Sequence, residues 1–332
     1  MKITVLGSGG WGTALALVLL ENGHDVTLWS YMEEESATLR EKRENPVLPG
    51  VPLPDTLKLT ADMACVKGCR AVVFATPSFA VRTTAHQVKE LLEPGAVLIS
   101  VSKGIEKETS FTLTEVIEDE IKGHPVVALS GPSHAEEVGR HIPTAVVAAS
   151  GDRASAELVQ DLFMNKRFRV YTTDDVVGVE LGAALKNVIA LSAGVIDGLG
   201  GGDNTKAALM TRGLAEIARL GEAMGGQKET FAGLAGIGDL IVTCTSMHSR
   251  NRRCGILIGQ GTPVEQAVKE IGMVVEGYYA AATAKALADK LGVDMPITQA
   301  AYAVLYQGTD PMVAIAELMT REKKSENEGD WL

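Results

Sequence analysis

A glycine-rich segment near the start of the chain has the spacing of a phosphate-binding loop. Gly7-Ser8-Gly9-Gly10-Trp11-Gly12 fits G-x-G-x-x-G and lies between a predicted strand and a predicted helix. In such a loop Gly7 permits the tight turn, Gly9 lets the backbone approach a pyrophosphate, and Gly12 lets the helix pack on the sheet. Free N–H groups and the positive end of the helix dipole favour an anion here. The pattern predicts dinucleotide binding, with a merely structural turn as the alternative.

The sequence leaves the choice between NAD and NADP open. An NAD site uses an acidic residue about 20 positions past the loop to bind the ribose 2′-hydroxyl. Ser30-Tyr31 stands there instead, and Glu33 to Glu35 indicate the solvated start of a helix. The strand end also lacks an arginine that could receive a 2′-phosphate. We therefore expect both NADH and NADPH to be used.

Two lysines lie where they could act on a substrate. Lys186 is in an apolar helical stretch, where most lysines extend the ammonium group to solvent. If Lys186 is buried instead, lost hydration lowers its pKa, which suits proton transfer near neutrality. Lys103 follows a predicted strand at the carboxyl end, where doubly wound sheets bind ligands. A solvent-facing lysine is equally compatible with that position, so the residues alone leave both questions open.

Three features of the second half also have a structural and a chemical interpretation. Asp239 is either a helix N-cap or a carboxylate that orients a lysine or a substrate hydroxyl. The basic cluster 249–253 (SRNRR) is either a solvated loop or a phosphate clamp, because arginine presents a planar fork and serine and asparagine add donors. Glu276 could be an ordinary charge at a helix end.

Composition and charge argue against several classes of protein. Hydrophobic residues make up 46% and charged residues 22%, as in globular proteins. A net charge of −11 argues against general binding to nucleic acid or anionic membranes. The four cysteines lack zinc-ligand spacing, which predicts reduced thiols and no metal site. The glycine loop interrupts what could be mistaken for a signal peptide, so we expect a cytoplasmic protein that does not insert in membranes.

Short apolar strands alternate with helices in the first half, which is typical of a doubly wound, mainly parallel α/β sheet. The predicted strands are Lys2–Leu6, Asp25–Trp29, Ala71–Ala75, Val97–Val101, Pro125–Ser130, Thr144–Ala149 and Phe168–Tyr171. The predicted helices between them are Thr13–Asn22, Thr83–Leu92, Ser110–Glu120 and Ala154–Phe163.

After about Asp174 the strand signals disappear. Helical stretches punctuated by glycine run to Leu318, among them Val176–Ile196, Lys206–Met224, Pro263–Ile271, Gly277–Lys290 and Ile297–Leu305. We predict a dinucleotide-binding domain over residues 1–175 and an all-α substrate domain over residues 176–332. The mixed-charge run Arg321–Asp330 predicts a solvated end.

Six further segments follow the glycine loop in a recognisable order. They are Val101–Gly104 (VSKG), Gly131–Glu136 (GPSHAE), Glu180–Asn187 (ELGAALKN), Gly200–Lys206 (GGGDNTK), Gly236–Leu240 (GIGDL) and Ser249–Arg252 (SRNR). Across essentially the whole chain this set resembles the bacterial NAD(P)-dependent glycerol-3-phosphate dehydrogenases. The resemblance implies a Rossmann domain followed by a helical domain. It also implies interconversion of sn-glycerol 3-phosphate and dihydroxyacetone phosphate with NAD or NADP, which supplies glycerol 3-phosphate for phospholipid synthesis.

The resemblance also implies roles for single residues, with Lys186 as the catalytic proton acceptor. Substrate contacts are expected at Lys103, Gly131, Ser133, Lys186, Asp239, Ser249, Arg250 and Asn251. Cofactor contacts are expected at Gly7, Gly9, Gly10, Trp11, Gly12, Tyr31, Lys103, Ala135, Arg250, Val274 and Glu276. Tyr31 and Val47 depart from the family, in which many members have a basic residue and an aromatic residue at these positions. Both departures bear on NADP preference and leave the chemistry untouched.

Two other functions are compatible with parts of the sequence. The first is a dehydrogenase of similar architecture acting on a β-hydroxy acid, against which the basic cluster argues. The second is a dinucleotide sensor without activity, against which Lys103, Lys186 and Asp239 argue. The residues do not specify an oligomeric state, and a homodimer is one option.

Overall fold

The computed structural model describes residues 1–323 and 325–326. Its strands are β1 (Lys2–Leu6), β2 (Asp25–Trp29), β3 (Lys58–Thr60), β4 (Ala71–Phe74), β5 (Val97–Ser100), β6 (Val126–Ser130), β7 (Thr144–Ala149) and β8 (Phe168–Thr173). The helices that accompany them are α1 (Gly10–Glu21), α2 (Glu33–Lys42), α3 (Val81–Val88), α4 (Leu113–Glu120), α5 (Ala135–Val138) and α6 (Arg153–Phe163).

Helices make up the regular structure of the described chain after β8. They are α7 (Val176–Gly198), α8 (Asp203–Ala223), α9 (Lys228–Phe231), α10 (Asp239–Thr245), α11 (Arg250–Gly259), α12 (Val264–Ile271), α13 (Glu276–Leu291), α14 (Pro296–Gln307) and α15 (Pro311–Met319). A π-helical turn at Leu234–Gly238 leads into α10. Within the predicted solvated end, residues 324 and 327–330 lie outside the described residues.

The eight strands form one sheet in the order β3-β2-β1-β4-β5-β6-β7-β8. Every neighbouring pair is parallel except β6 and β7, which run antiparallel. β4, β5 and β6 are buried along their whole length, because helices cover both faces of the sheet. The predicted fold class, a mainly parallel α/β sheet followed by a helical region, is confirmed.

The predicted elements differ from the structure where the local signal is weak. β3 was missed because it has three residues, of which only Leu59 is buried. α1 begins at Gly10 rather than Thr13, since the second half of the glycine loop already forms its first turn. The prediction also did not locate α10 and α11, which follow the glycine-rich π-helical turn.

α7 is the central helix of the second half. It has 23 residues and the apolarity of a membrane span, but 94% of its most apolar window is buried inside the protein, as in a core helix. α11 packs directly on it through glycines. A Cβ at Gly194 would lie 2.0 Å from the Arg252 carbonyl oxygen, and one at Gly255 would lie 2.0 Å from the Leu191 carbonyl oxygen. Side chains at these positions would separate the two helices.

The sheet and the helical region are in direct contact. Two residues separate β8 from α7. Glu180 of α7 is 6% exposed and accepts a hydrogen bond from the Thr114 backbone N–H at 3.0 Å, in the first turn of α4. The Thr114 hydroxyl also donates to the same carboxylate. A helix N-terminus on the sheet side is therefore satisfied by a carboxylate from the helical side.

Candidate active site

A cleft of about 570 Å³ lies between the carboxyl ends of the central strands and the helical region. It begins at the glycine loop and ends at Lys186 and Asp239. The predicted site residues that line it are Gly7, Gly9, Gly10, Trp11, Gly12, Tyr31, Lys103, Ser133, Ala135, Lys186, Asp239, Ser249, Arg250, Asn251, Val274 and Glu276. Gly131 stands behind the wall, where its carbonyl accepts hydrogen bonds from Lys103 Nζ and Ser133 Oγ at 3.2 and 2.9 Å.

The backbone of the glycine loop has the geometry that a dinucleotide requires. Gly7 has φ +119°, and a Cβ there would lie 2.6 Å from the Ala75 carbonyl oxygen. A Cβ at Gly12 would lie 2.0 Å from the Gly7 carbonyl oxygen. Gly9, in contrast, has no atom within 4 Å of its Cβ position, so its outer side is open for the close approach of a ligand. These three positions agree with the tight turn, the open approach and the close helix packing of a dinucleotide loop.

The loop is supported by the segment around Val47, which the sequence marked only as a departure from the family. Asn45 is 2% exposed, and its amide donates to the Ser8 carbonyl at 2.8 Å and to Thr13 Oγ1 at 2.7 Å. The Val47 carbonyl oxygen would be 3.1 Å from a Cβ at Gly10. This segment therefore leaves little room for a side chain at Gly10 and supports the start of α1.

Two buried polar atoms beside the loop have no hydrogen-bond partner among the described residues. They are Trp11 Nε1 and Thr76 Oγ1, and both residues line the cleft. Unpaired buried polar groups are costly, and in functional sites they commonly belong to a ligand. Together with the open side of Gly9, they show that the cleft fits a polar cofactor.

At the base of the cleft two lysines share one aspartate. Lys186 Nζ donates to Asp239 Oδ1 at 2.5 Å, and Lys103 Nζ donates to Asp239 Oδ2 at 2.8 Å. Lys186 also donates to Thr243 Oγ1 at 2.7 Å, and that hydroxyl donates to the Asp239 carbonyl at 2.6 Å. α7 supplies one lysine, the loop after β5 supplies the other, and α10 supplies the acceptors. The fold therefore joins three distant motifs into one charged cluster.

Burial sets the ionisation of this cluster. Lys186 is 5% exposed, and its lost hydration lowers its pKa to about 7, although Asp239 opposes the shift. Burial alone would raise the pKa of Asp239, but the charges of Lys103 and Lys186 outweigh it and hold that pKa below its usual range. The cluster thus combines an ionised carboxylate with a lysine that can exist as the neutral amine near pH 7.

The basic cluster is the start of α11 rather than a solvated loop. Ser249 is its N-cap, with Oγ accepting from the Arg252 N–H at 3.2 Å. The Arg250 guanidinium lines the cleft and makes no hydrogen bond or ion pair with any described residue. Burial lowers its pKa, and the charges of Glu276 and Glu136 raise it again in part. It is therefore a cation available to an anionic ligand.

Known proteins of one family are similar to this chain along its whole length. The N-terminal and C-terminal profiles of NAD-dependent glycerol-3-phosphate dehydrogenase match residues 2–156 and 175–316. The NAD(P)+ glycerol-3-phosphate dehydrogenase of Desulfitobacterium hafniense is 53% identical over 98% of this chain and 93% of its own length. That of Moorella thermoacetica is 55% identical over 99% of both. The crystal structure of glycerol-3-phosphate dehydrogenase from Coxiella burnetii superposes with a TM-score of 0.93 at 40% identity, over 96% of this chain and 98% of that one.

The chain belongs to the NAD-dependent glycerol-3-phosphate dehydrogenase family. The predicted family, the oxidoreductase class and the NAD(P) coenzyme are thereby confirmed. The enzyme interconverts glycerol 3-phosphate and dihydroxyacetone phosphate. Both alternatives that the sequence left open, the β-hydroxy acid dehydrogenase and the inactive sensor, are set aside by this result.

Several alternatives for single residues of this glycerol-3-phosphate dehydrogenase are decided by the fold. Lys186 does not extend to solvent. The side chain of Lys103 is 19% exposed and turns to Asp239. Asp239 does not cap α10, whose N-cap is Gly238. Glu276 opens α13 and accepts from Ser78 Oγ at 2.8 Å, so it joins the helical region to the loop after β4.

The dehydrogenase site also contains residues that the sequence did not predict. Thr243 follows Asp239 by one helical turn, and Ser78 contacts Glu276. His134 and His248 line the cleft with their ring centroids 5.6 Å apart, and the pKa of His134 is lowered mainly by burial and then by Lys186. Only the spacing from Asp239 to Thr243 was visible in the sequence as a signal, because residues four apart share a helix face.

The described residues contain no group of three or more histidine, cysteine, aspartate or glutamate side chains that could hold a metal ion. The four cysteines are free thiols, and burial raises the pKa of Cys65 and Cys254 to about 11. Tyr31 is 78% exposed at the outer end of the cleft, where its ring meets Trp29 edge-on at 6.2 Å. The end of the cleft at Tyr31 is therefore open to solvent.

Proposed function

We propose that Lys186 exchanges the hydroxyl proton with the substrate. The observation that carries this proposal is a buried lysine at the base of the cleft, held by Asp239 and Thr243. A pKa of about 7 makes both protonation states available near neutrality. In oxidation the neutral amine takes the proton of the C2 hydroxyl of glycerol 3-phosphate. In reduction the ammonium group returns it to the carbonyl oxygen of dihydroxyacetone phosphate.

Lys103 and Asp239 hold and polarise the same substrate oxygen in this proposal. An ammonium group has three donors. Lys103 uses one on Asp239 and one on the Gly131 carbonyl, which leaves one for the substrate. Lys186 likewise has one donor left after Asp239 and Thr243. Two N–H groups directed at one carbonyl oxygen would stabilise the negative charge that develops there.

The cofactor would lie along the first half of the cleft. Gly7, Gly9, Gly10, Trp11 and Gly12 would hold its pyrophosphate at the N-terminus of α1, and Tyr31, Lys103, Ala135, Arg250, Val274 and Glu276 would contact the remainder. A bound nicotinamide cofactor supplies or receives the hydride that C2 exchanges.

The substrate phosphate would bind at the start of α11. Arg250 offers an unpaired planar fork, and Ser249 has a hydroxyl proton to donate because its oxygen already accepts at the cap. Asn251 is more restricted: its Oδ1 accepts from the Gly277 N–H and its Nδ2 donates to Asn187 Oδ1, both at 2.8 Å. One N–H of Asn251 remains for the ligand. Ser133 and the Gly131 loop complete the pocket from the sheet side.

Four wider features are also proposed. We place the division between the two domains at residues 175 and 176, between β8 and α7. The enzyme would act in the cytoplasm and supply glycerol 3-phosphate for phospholipid synthesis. A homodimer is the oligomeric state to test by sedimentation.

An assay of NADH and NADPH oxidation tests the assignment of both pockets. Dihydroxyacetone phosphate should be reduced far faster than dihydroxyacetone, because binding of the remote phosphate aligns C2 for reaction. Both cofactors should be used with a preference on the order of tenfold, about 1.4 kcal/mol, since Tyr31, two residues after β2, carries no charge that would select either one. A preference above roughly a thousandfold would reject the assignment of the adenosine end, because about 4 kcal/mol requires a dedicated contact. Equal rates with the two ketones would reject the phosphate pocket.

A further inference from the structure

A half-buried ion cluster behind the turn between α10 and α11 has no place in the mechanism above. It consists of Asp197 in the last turn of α7, Lys206 in the first turn of α8 and Arg252 in the first turn of α11, with side chains 13–15% exposed. Asp197 Oδ1 lies 2.5 Å from Lys206 Nζ. Asp197 Oδ2 accepts from Arg252 Nε and lies near Arg252 Nη2, both at 2.7 Å. Two of the sequence motifs, Gly200–Lys206 and Ser249–Arg252, therefore meet at one carboxylate.

Arg252 also contacts the turn that precedes Arg250. Its Nη1 donates to the Thr245 carbonyl at 2.7 Å, at the last residue of α10. Its backbone N–H donates to the cap oxygen of Ser249, and its carbonyl packs against Gly194 of α7. The end of α10 and the start of α11 are thus both fastened to the last turns of α7.

Arg250 and Arg252 lie on different sides of α11, because they are two residues apart in the helix. Helical residues two apart do not share a face. Arg250 lines the cleft and has no partner, whereas Arg252 faces α7 and has its fork committed to Asp197 and Thr245. Both arginines lie in the first turn of α11, so the position of that turn sets where each guanidinium lies.

We propose that Asp197 is a positioning residue for the substrate phosphate. By holding Arg252 it fixes the first turn of α11, so that Arg250 stays directed into the cleft. The same contact keeps the Arg252 guanidinium on the α7 side of the helix, whereas Arg250 lines the cleft. This inference rests on the phosphate-binding role proposed above for Arg250.

The test compares kcat and KM for dihydroxyacetone phosphate and for dihydroxyacetone in the whole enzyme. Asp197→Asn should lower kcat/KM for the phosphorylated ketone by about tenfold, mainly through KM, and should change it by less than about threefold for dihydroxyacetone. Lys206→Met leaves the pair of Asp197 and Arg252 intact and should change both values by less than about threefold. Asp289→Asn is the matched control, because it removes the same charge from an exposed pair with Lys285.

Other outcomes overturn the proposal. An equal loss with both ketones, or no loss, shows that Asp197 does not act on phosphate recognition. Should Asp197→Asn fail to fold, Arg252→Lys decides: it keeps a cation for Asp197 but loses the bond to Thr245, so it must lose activity selectively with the phosphorylated ketone. Arg250→Ala run in parallel separates the two claims. If that variant is selective and the Asp197 and Arg252 variants are not, only the present inference fails; if it is unselective, the phosphate pocket itself fails.

Discussion

Burial decides what the charged groups at the base of the cleft can do. A lysine on an exposed helix face keeps its proton up to about pH 10.4 and is a poor base at neutrality. The pKa of Lys186 is lowered, because the residue is only 5% exposed and because its partner Asp239 also pairs with Lys103. Because the two ammonium groups share one carboxylate, it compensates each of them only in part for the loss of hydration. The same side chain could not carry out the proposed proton transfer if it reached the solvent.

Arg250→Ala tests the phosphate pocket at the residue scale. We expect a higher KM and a lower kcat for dihydroxyacetone phosphate, because lost anchoring also loosens the alignment of C2. Activity with dihydroxyacetone, already a poor substrate, should fall much less. Steady-state kinetics with both ketones provide the measurement. Equal proportional losses would show that Arg250 does not bind the phosphate.

At the scale of elements, glycines determine how closely the backbone segments approach each other. Gly9 and Gly12 are three residues apart in one loop, yet only Gly12 is packed against other backbone atoms. Because their surroundings differ, we expect Gly12 to matter for folding and Gly9 for cofactor binding. Both have backbone angles at which alanine is allowed, since neither has a positive φ.

Gly9→Ala and Gly12→Ala should therefore change different properties of the enzyme. Gly12→Ala should lower the free energy of unfolding by roughly 1–3 kcal/mol, because the new methyl group would overlap the Gly7 carbonyl. Gly9→Ala should leave thermal stability unchanged and raise KM for NADH about tenfold, because the methyl group fills the open side of the loop. Thermal unfolding and cofactor titration measure the two effects. A destabilised Gly9→Ala enzyme with normal NADH binding would contradict this account.

Sequence patterns predict the elements that have a strong local signal. β1, β2 and β7 were predicted with their observed bounds, because each is a compact apolar run beside a turn. β3 was not, because Lys58 and Thr60 are accessible and its position depends on pairing with β2. The starts of α10 and α11 depend on a π-helical turn and an N-cap serine, whose effect appears only in the fold.

In the candidate site, too, the features with a strong local sequence signal were predicted and those that depend on folding were not. The glycine loop could be predicted because its motif is a continuous run of six residues between a strand and a helix. Asn45 could not be recognised, because it meets the Ser8 carbonyl only after folding, whereas the four-residue spacing of Thr243 from Asp239 was a usable signal. The asparagine pair of 187 and 251 shows the limit most clearly: both residues lie in recognised motifs, but their bond to each other is visible only in the structure.

At the scale of the whole molecule, the cleft exists because the sheet and the helical region are held together. Glu180 is part of that connection, through its hydrogen bonds from Thr114. Burial raises the pKa of Glu180 to about 7, even though the bonds from Thr114 lower it. The folded enzyme therefore binds this proton more tightly than the unfolded chain does.

This shift predicts how stability depends on pH. A raised pKa contributes stability below the unfolded value of 4.5, and the contribution is lost as the pH rises to about 7. Glu180→Gln has no such proton, so the stability of the parent relative to this variant should fall between pH 4.5 and 7 by up to roughly 3 kcal/mol. Denaturant unfolding of both proteins across this range measures the difference. A difference that stays constant with pH would contradict the assignment to Glu180.

The central claim, proton transfer by Lys186, is tested most directly by Lys186→Met. Methionine keeps the approximate size and apolar stem and removes the titratable amine, so folding should survive. Circular dichroism and NADH titration should first show a folded protein whose cofactor affinity has changed by less than roughly tenfold, about 1.4 kcal/mol. The measurement is then kcat for dihydroxyacetone phosphate reduction, which should fall at least about a hundredfold, as for other general acid–base groups. A folded, NADH-binding variant with kcat within about threefold of the parent would contradict the account and leave Lys103 as the next candidate.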